Sequence, residues 1–247
     1  MKKATSFTYL GSAVTNTNSS DAEIDRRIQA ASKAYGALHK ILWSRHDIRV
    51  DTKVKVYNVA VLPALLYGTE CMTLYKHQIR KLTAVQLRHM RQLLQISWES
   101  RVSNVEVLRR ANSVSVEAMI ASNQLRWAGH VVRMPNQRLP KTIFYGELSE
   151  GTRKRGAPNL RFKDTLKRTM KVCKIDDSSW TELALNRGKW RNIVHKAKPA
   201  IEKMRKDSYT RAHLTRHQDA GITNFRCGKC LKHCRSKAGL AAHTRFC

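Results

Sequence analysis

Apolar residues recur every three or four positions through most of the chain, a period typical of amphipathic α-helices. The clearest stripe consists of Ile24, Ile28, Ala31, Tyr35, Leu38 and Leu42. Further helical periods cover residues 54–66 and a run that begins at Ile79. Near the N-terminus, residues 6–14 mix β-branched and aromatic side chains before a polar stretch. This pattern predicts a strand followed by a loop.

A longer helix is predicted over residues 116–134, and it is stopped by Pro135. Its apolar face is expected to consist of Val116, Ile120, Asn123, Trp127, Val131 and Met134. His130 lies beside this face, so we expect it to be buried or hydrogen-bonded. Capping boxes, in which a serine precedes a glutamate by three positions, predict helix starts at three pairs: Ser20 with Glu23, Ser103 with Glu106, and Ser179 with Glu182.

The last of these helices is expected to run from Trp180 to Val194. Residues 199–224 are polar and poorly periodic, which predicts a linker. The longest apolar run, from Val59 to Tyr67, is interrupted by Pro63 and is far shorter than a membrane span. No secretory signal is recognisable, so we expect a protein of the nucleus or cytoplasm that does not enter a membrane.

Charge changes this picture of a helical protein. The chain carries 47 Lys and Arg against 18 Asp and Glu, a formal net charge of +29. Such an excess favours nucleic acid as a partner, because neutralising phosphates releases condensed counterions. An anionic membrane surface and simple solubility are the competing explanations.

Basic residues are concentrated between Arg138 and Lys174, where eleven of them stand against three acidic residues. We expect seven side chains in this region to contact nucleic acid: Arg153, Lys154, Arg155, Lys163, Lys167, Arg168 and Lys171. The alternative is that a packed helix simply turns a charged face to solvent.

Four residues near the C-terminus have the spacing of metal ligands: Cys227, Cys230, His243 and Cys247. Two residues separate the first pair of cysteines, and a four-residue helical step brings His243 and Cys247 to one side. Three thiolates and one imidazole suit tetrahedral Zn²⁺. We therefore predict one zinc ion, with Phe225 and Leu240 forming a small core beside it.

This segment resembles C2H2-type zinc fingers in which the last histidine is replaced by cysteine, and the resemblance implies a ββα fold. In fingers that read DNA, three helix positions contact base edges, and here they fall on Ser236, Gly239 and Ala242. Of these, only Ser236 offers a hydrogen-bonding side chain. We expect the surrounding basic residues to bind phosphates instead: Lys229, Lys232, Arg235, Lys237 and Arg245.

The rest of the chain resembles the downstream part of non-LTR retrotransposon reverse transcriptases. The segments that carry this resemblance are FTYLGS at 7–12, EIDRRIQAASKAYGAL at 23–38, LPALLYGTE at 62–70, QLRWAGHVVRM at 124–134 and RLPKTIFYGEL at 138–148. The resemblance implies thumb and connector helices. The aspartates of the family's polymerase and its endonuclease lie upstream of FTYLGS, so we expect this chain not to be an enzyme. Asp176 and Asp177 follow the thumb-like helices and are better explained by a loop before a helix.

These expectations give a mainly α fold with a helical thumb/connector-like body, a short N-terminal β segment and a small ββα zinc finger. The predicted divisions are a palm-like remnant at 1–20, a thumb-like region at 21–100, a basic connector at 101–198, the linker at 199–224 and the finger at 225–247. The expected function is that of a zinc-binding, nucleic-acid-binding C-terminal fragment of a retrotransposon reverse transcriptase, which contacts RNA or DNA mainly through phosphates and has no catalytic centre of its own. The alternative is an interaction or regulatory protein whose finger contacts another protein. A third possibility is a polymerase subunit whose catalytic part comes from another chain, and oligomeric state stays open.

Overall fold

A computed structural model describes residues 6–9, 11–15, 19–146, 150, 160–222, 225–230, 232–234 and 237–247. The chain divides into two compact units, Met1–Glu202 and Lys203–Cys247. Most of the described residues are helical, as the apolar period predicts. No described helix combines the length and the apolar character that crossing a bilayer requires.

The first unit begins with a β-hairpin rather than the single predicted strand. Strands β1 (Ser6–Tyr9) and β2 (Ser12–Thr15) pair antiparallel, and Gly11 turns the chain at φ +81°. A buried ion pair fixes this hairpin to the first helix, because Glu23 accepts a hydrogen bond from Ala13 N at 2.5 Å while Arg27 donates to Glu23 and to the Gly11 carbonyl. Glu23 is thereby used for tertiary contact and not for a capping box.

Six helices and two short turns follow: α1 (Asp21–Ala37), a π-helical turn (His39–Trp43), α2 (Val50–Ala60), α3 (Leu62–Leu66), α4 (Lys76–Leu93), a 3₁₀ turn (Trp98–Ser100), α5 (Asn104–Arg110) and α6 (Val116–Val132). Their apolar faces form one core, in which Ile24, Tyr57 and Met90 are fully buried. The stripe predicted from Ile24 to Leu42 contributes to this core, as expected.

An aromatic cluster occupies part of this core. The ring of Tyr35 stacks on two other rings, with centroid distances of 4.0 Å to His89 and 5.1 Å to Trp43. The Tyr57 hydroxyl lies 3.3 Å from His89 Nδ1. Burial, together with the positive charge of Arg88, lowers the pKa of His89 to about 4. His89 is therefore neutral in the folded protein at neutral pH.

A second core joins α6 to the following helices, α7 (Leu139–Tyr145), α8 (Phe162–Val172), α9 (Trp180–Leu185) and the long α10 (Arg187–Ile222). Leu125, Leu166 and Trp190 are among its buried residues. The helix predicted from Trp180 to Val194 is in fact two helices, because the chain leaves helical geometry at Asn186, whose side chain accepts a hydrogen bond from Lys189 N.

Helix starts follow the predictions only in part. Ser103 accepts a hydrogen bond from Glu106 N at 3.2 Å, as a capping residue should. Ser20 and Ser179 make no such bond, and the prediction of capping boxes there is wrong. Glu106 itself pairs with Arg109 and Arg110 instead of reaching back to the helix start.

The predicted face of α6 also needs correction. Val116, Ile120 and Val131 are buried, but Trp127 is only half-buried. His130 is exposed, so burial, one of the two roles predicted for it, is wrong. The helix is covered on two sides by the two cores, so its buried surface is wider than one stripe. What remains uncovered is the strip that carries Trp127 and His130.

The second unit contains the end of α10, strands β3 (Phe225–Arg226) and β4 (His233–Cys234), and helix α11 (Lys237–Phe246). The strands pair antiparallel, with Phe225 opposite Cys234, and α11 lies against both. Residues 199–222 of the predicted linker are helical and continue α10 through Pro199.

Candidate metal centre and basic surfaces

The four predicted metal ligands come together in the second unit. Cys227 follows β3, and Cys230 ends the turn that comes next, where Cys227 N donates to the Lys232 carbonyl at 3.0 Å. His243 lies on α11 and Cys247 directly after it, one helical turn apart. The turn and the helix thus each supply two ligands to a single point.

Distances within this cluster suit a small tetrahedral ion. The Sγ atoms of Cys227 and Cys247 are 3.9 Å apart, Cys230 Sγ lies 3.0 Å from His243 Nε2, and all four ligand atoms lie within 4.8 Å of one another. A zinc ion with Zn–S bonds of about 2.3 Å requires sulfur atoms about 3.8 Å apart. The donor set and its spacing therefore fit zinc.

The thiols are held in unequal states by their surroundings. Backbone N–H groups of Cys230 and Lys229 donate to the Cys227 sulfur and lower its pKa to about 6. The hydrogen bond with Cys230, partial desolvation and the nearby Cys227 raise the pKa of Cys247 to about 11. Three sulfurs this close do not all ionise alone, and a divalent cation would supply the charge that lets them do so.

Three of the five basic side chains predicted to surround the metal lie at described surface positions. Lys229, Lys232 and Arg245 are exposed to solvent. Lys237 begins α11, while Arg235 and the predicted base-reading Ser236 lie outside the described residues. Gly239 and Ala242, the other two positions, are exposed on α11.

The basic face of α8 is partly used inside the protein. Lys163 lies over the rings of Phe144 and Tyr145, at 5.7 and 5.3 Å from their centroids. Lys167 pairs with Asp177 at 2.7 Å. Two further predicted contacts, Arg168 and Lys171, are exposed. Both are therefore accessible to a phosphate.

Three other predicted contacts, Arg153, Lys154 and Arg155, lie outside the described residues. The adjacent carboxylates have local roles, as expected. Asp176 accepts hydrogen bonds from Ser178, which lower the pKa of Asp176, and Asp177 binds Lys167.

The structure also brings together cations that the sequence patterns did not single out. A groove of about 900 Å³ lies between α6 and the first part of α10, and we call it the α6–α10 groove. Five cationic side chains line it: Arg126, Arg133, Arg187, Arg191 and Lys198. Trp127 and His130 line it as well, with ring centroids 5.6 Å apart.

Helical spacing is the sequence signal that could have identified these five cations. Arg126 lies on α6, and Arg133 follows seven residues later at the C-terminal cap of that helix. Arg187, Arg191 and Lys198 follow one stripe of α10. Because the sequence pattern assigns Trp127 to the core, it does not indicate that the cations of α6 and α10 line one groove.

The floor of the groove is tightly packed. Trp190 is buried beneath it, and its Nε1 donates to the Leu125 carbonyl at 3.0 Å. An added Cβ at Gly129 would lie only 2.1 Å from that nitrogen, so the close approach of the two helices requires glycine there. Arg133 donates to the Ala184 carbonyl, and burial together with the charge of Arg187 lowers the pKa of Arg133.

One curated protein of related sequence is an uncharacterized transposon-derived protein of Caenorhabditis elegans. The chain is 25 % identical to it over 197 residues, which cover 77 % of this chain and 70 % of that protein. No family model and no solved structure matches the chain. At this identity the similarity supports a transposon-related origin and no finer assignment.

Proposed function

We propose that this protein is a zinc-binding, nucleic-acid-binding protein, related to the downstream part of non-LTR retrotransposon reverse transcriptases, that holds RNA or DNA mainly through phosphates. The observation that carries this proposal is the net charge of +29 combined with exposed cations that lack acidic partners among the described residues, such as Arg168, Lys171 and Arg191. Phosphate contacts release counterions and give affinity for any sequence.

Zinc would have a structural role in this proposal. Strands β3 and β4 have only two residues each, and α11 has ten, so the C-terminal segment has little apolar surface to bury. Units of this size need metal or cross-links to fold. A C2HC finger around Cys227, Cys230, His243 and Cys247 satisfies this need.

Catalysis is not part of the proposal. Polymerisation requires carboxylates placed to hold two metal ions. Asp176 and Asp177 are occupied by Ser178 and Lys167. Among the residues described, the Cys/His cluster is the one group of three or more metal-binding side chains close enough to share an ion.

A protein-interaction role for the finger is the competing proposal. The observation that favours it is that Gly239 and Ala242 are exposed on α11 and offer no hydrogen-bonding side chain to a base. Small residues allow another protein surface to approach closely. This alternative requires no affinity for nucleic acid.

Fluorescence anisotropy of the full chain with three labelled probes tests the proposal: a scrambled duplex, single-stranded DNA and a structured RNA. We expect binding that is nearly indifferent to sequence and that weakens with salt, with a log-log slope of about −0.9 per phosphate neutralised on duplex or −0.7 on single strands. Salt-insensitive binding, or a preference above roughly a thousandfold for one sequence, would contradict phosphate binding. No binding at low salt would favour the protein-interaction role.

A further inference from the structure

The α6–α10 groove combines a concentration of cations with an accessible aromatic ring. Glu70 is the one acidic residue among those that line it. Within the part of the chain that is described, none of the five groove cations forms an ion pair. Five cations and one carboxylate leave the groove with an excess of positive charge, and an anionic ligand would reduce the repulsion among the cations.

The spacing of the cations matches a polymer better than a small anion. Arg187 and Lys198 are eleven residues apart on α10, which at 1.5 Å per residue is a distance of about 16 Å along the helix. Arg191 lies between them on the same stripe. A stripe of this length can contact more than one phosphate of the same strand, whereas a small anion cannot span it.

A single strand fits the groove better than a duplex does. A space of about 900 Å³ between two helices has the size of a small-molecule site, and a duplex would reach only its rim. The half-buried Trp127 presents ring surface within the groove. A base can stack on that ring only when it is not already stacked in a duplex.

The groove is also preorganised. Trp190 is packed against Gly129 and bonded to the Leu125 carbonyl, so the floor under Trp127 is fixed before any ligand arrives. Arg133 is positioned by the Ala184 carbonyl. Less conformational freedom is lost on binding when the site is already ordered.

We propose that the α6–α10 groove binds single-stranded nucleic acid, with phosphates on the arginines and lysine and one base stacked on Trp127. This inference rests on the proposed function, since it names the surface and the strandedness of the ligand. Its chemistry predicts two separable effects, because phosphate contacts depend on salt and stacking does not.

The test uses full-length variants and anisotropy with a labelled 15-nucleotide oligo-dT, an oligo-U of the same length and a 15-base-pair duplex. Arg187→Gln with Arg191→Gln removes two exposed charges from the groove. The matched control, Lys33→Gln with Lys40→Gln, removes two exposed charges from α1 and the π-helical turn after it, where no binding role is proposed. Circular dichroism and zinc content confirm that each variant is folded.

We expect the groove variant to lower the magnitude of the salt slope on oligo-dT by about 1.4, or 0.7 for each phosphate contact. If wild type and variant bind equally at 1 M salt, this difference in slope corresponds to roughly 25-fold weaker binding of the variant at 0.1 M salt. The control variant should change affinity for single strands by less than about threefold. Trp127→Ala should weaken single-strand binding by about 5-fold to 150-fold at an unchanged slope, while Trp127→Phe should retain most of the affinity.

The possible failures are distinguishable. If the wild-type chain binds none of the probes at low salt, the proposed function itself is wrong. If it binds with a normal salt slope but the groove and control variants lose affinity equally, only the groove assignment is overturned. Equal losses on duplex and single strand in Trp127→Ala would likewise overturn the stacking role. Parallel results with oligo-dT and oligo-U would extend the site to both RNA and DNA.

Discussion

Replacing Gly129 with alanine tests how closely α6 and α10 pack beneath the groove. The new Cβ would lie 2.1 Å from Trp190 Nε1, 2.3 Å from its Cδ1 and 2.9 Å from its Cε2. Normal contacts between such atoms are about 3.5–4.0 Å. The indole must therefore move by about 1.4 Å to restore a normal contact. A shift of that size would break the hydrogen bond from Trp190 Nε1 to the Leu125 carbonyl.

The magnitude follows from three contributions. Overpacking a buried site costs about 1–3 kcal/mol, and a buried N–H left without a partner costs about 1–3 kcal/mol. Alanine gains about 1 kcal/mol over glycine inside a helix. The Gly129→Ala variant should thus lose about 1–5 kcal/mol in its free energy of unfolding, with a middle value of about 3 kcal/mol.

Gly36 provides the matched control, because it also lies in a helix but an added Cβ there meets nothing within 4 Å. Gly36→Ala should raise the free energy of unfolding by about 0.5–1 kcal/mol. Both variants are compared with the wild type by urea unfolding, monitored by helical circular dichroism and tryptophan fluorescence. If Gly129→Ala proves as stable as Gly36→Ala, the packing of Trp190 against Gly129 is not as described.

Three further predictions concern pH, the metal and catalysis. The pKa of His89 falls from 6.5 to about 4 on folding, so the unfolded chain binds a proton first as pH falls. The contribution of neutral His89 to the free energy of unfolding is therefore complete above about pH 6.5 and is lost as pH falls toward 4. His89→Gln should remove up to about 3 kcal/mol of this pH dependence, measured as unfolding free energy at pH 7 and pH 4.5; an unchanged dependence would contradict it. Cys234→Ser should keep the zinc while Cys247→Ser loses or weakens it, and the opposite result in metal analysis would overturn the ligand assignment. The chain alone should not extend a primed template with dNTPs and Mg²⁺ or Mn²⁺, and extension above background by pure protein would refute this.

Apolar periodicity identified most of the first core. The stripe from Ile24 to Leu42 and the runs in α2 and α4 pack as predicted, since a three- or four-residue period leaves one face that only other helices can cover. The spacing of Cys227, Cys230, His243 and Cys247 also predicted a cluster that the structure assembles. Both patterns are local in sequence, so they can be recognised without knowledge of the tertiary fold.

Helix starts and the face of α6 were harder to predict. A serine three residues before a glutamate is compatible with a capping box, but Glu23 is instead held by the hairpin and Arg27. Trp127 matches the period of the α6 core yet lines the groove, because α10 covers the neighbouring side of the helix. Such outcomes depend on partners that are distant in sequence.

The segments on which the predicted family resemblance rests also have structural roles. Arg27, within EIDRR, binds the Gly11 carbonyl of FTYLGS, and its guanidinium lies 4.6 Å from the ring centroid of Tyr67, within LLYG. In QLRWAGHVVRM, Leu125 and Gly129 serve the core while Trp127 and His130 face the groove. These segments therefore contain packing residues as well as candidate contacts.

Native mass spectrometry of the full chain tests whether one metal ion organises the C-terminal unit while the helical body folds without it. We expect one zinc per chain in the wild type and none in Cys227→Ser, with most of the helical circular dichroism retained in the variant because its cores lie within Met1–Glu202. Wild-type protein without zinc, or loss of all helical signal in Cys227→Ser, would contradict the account.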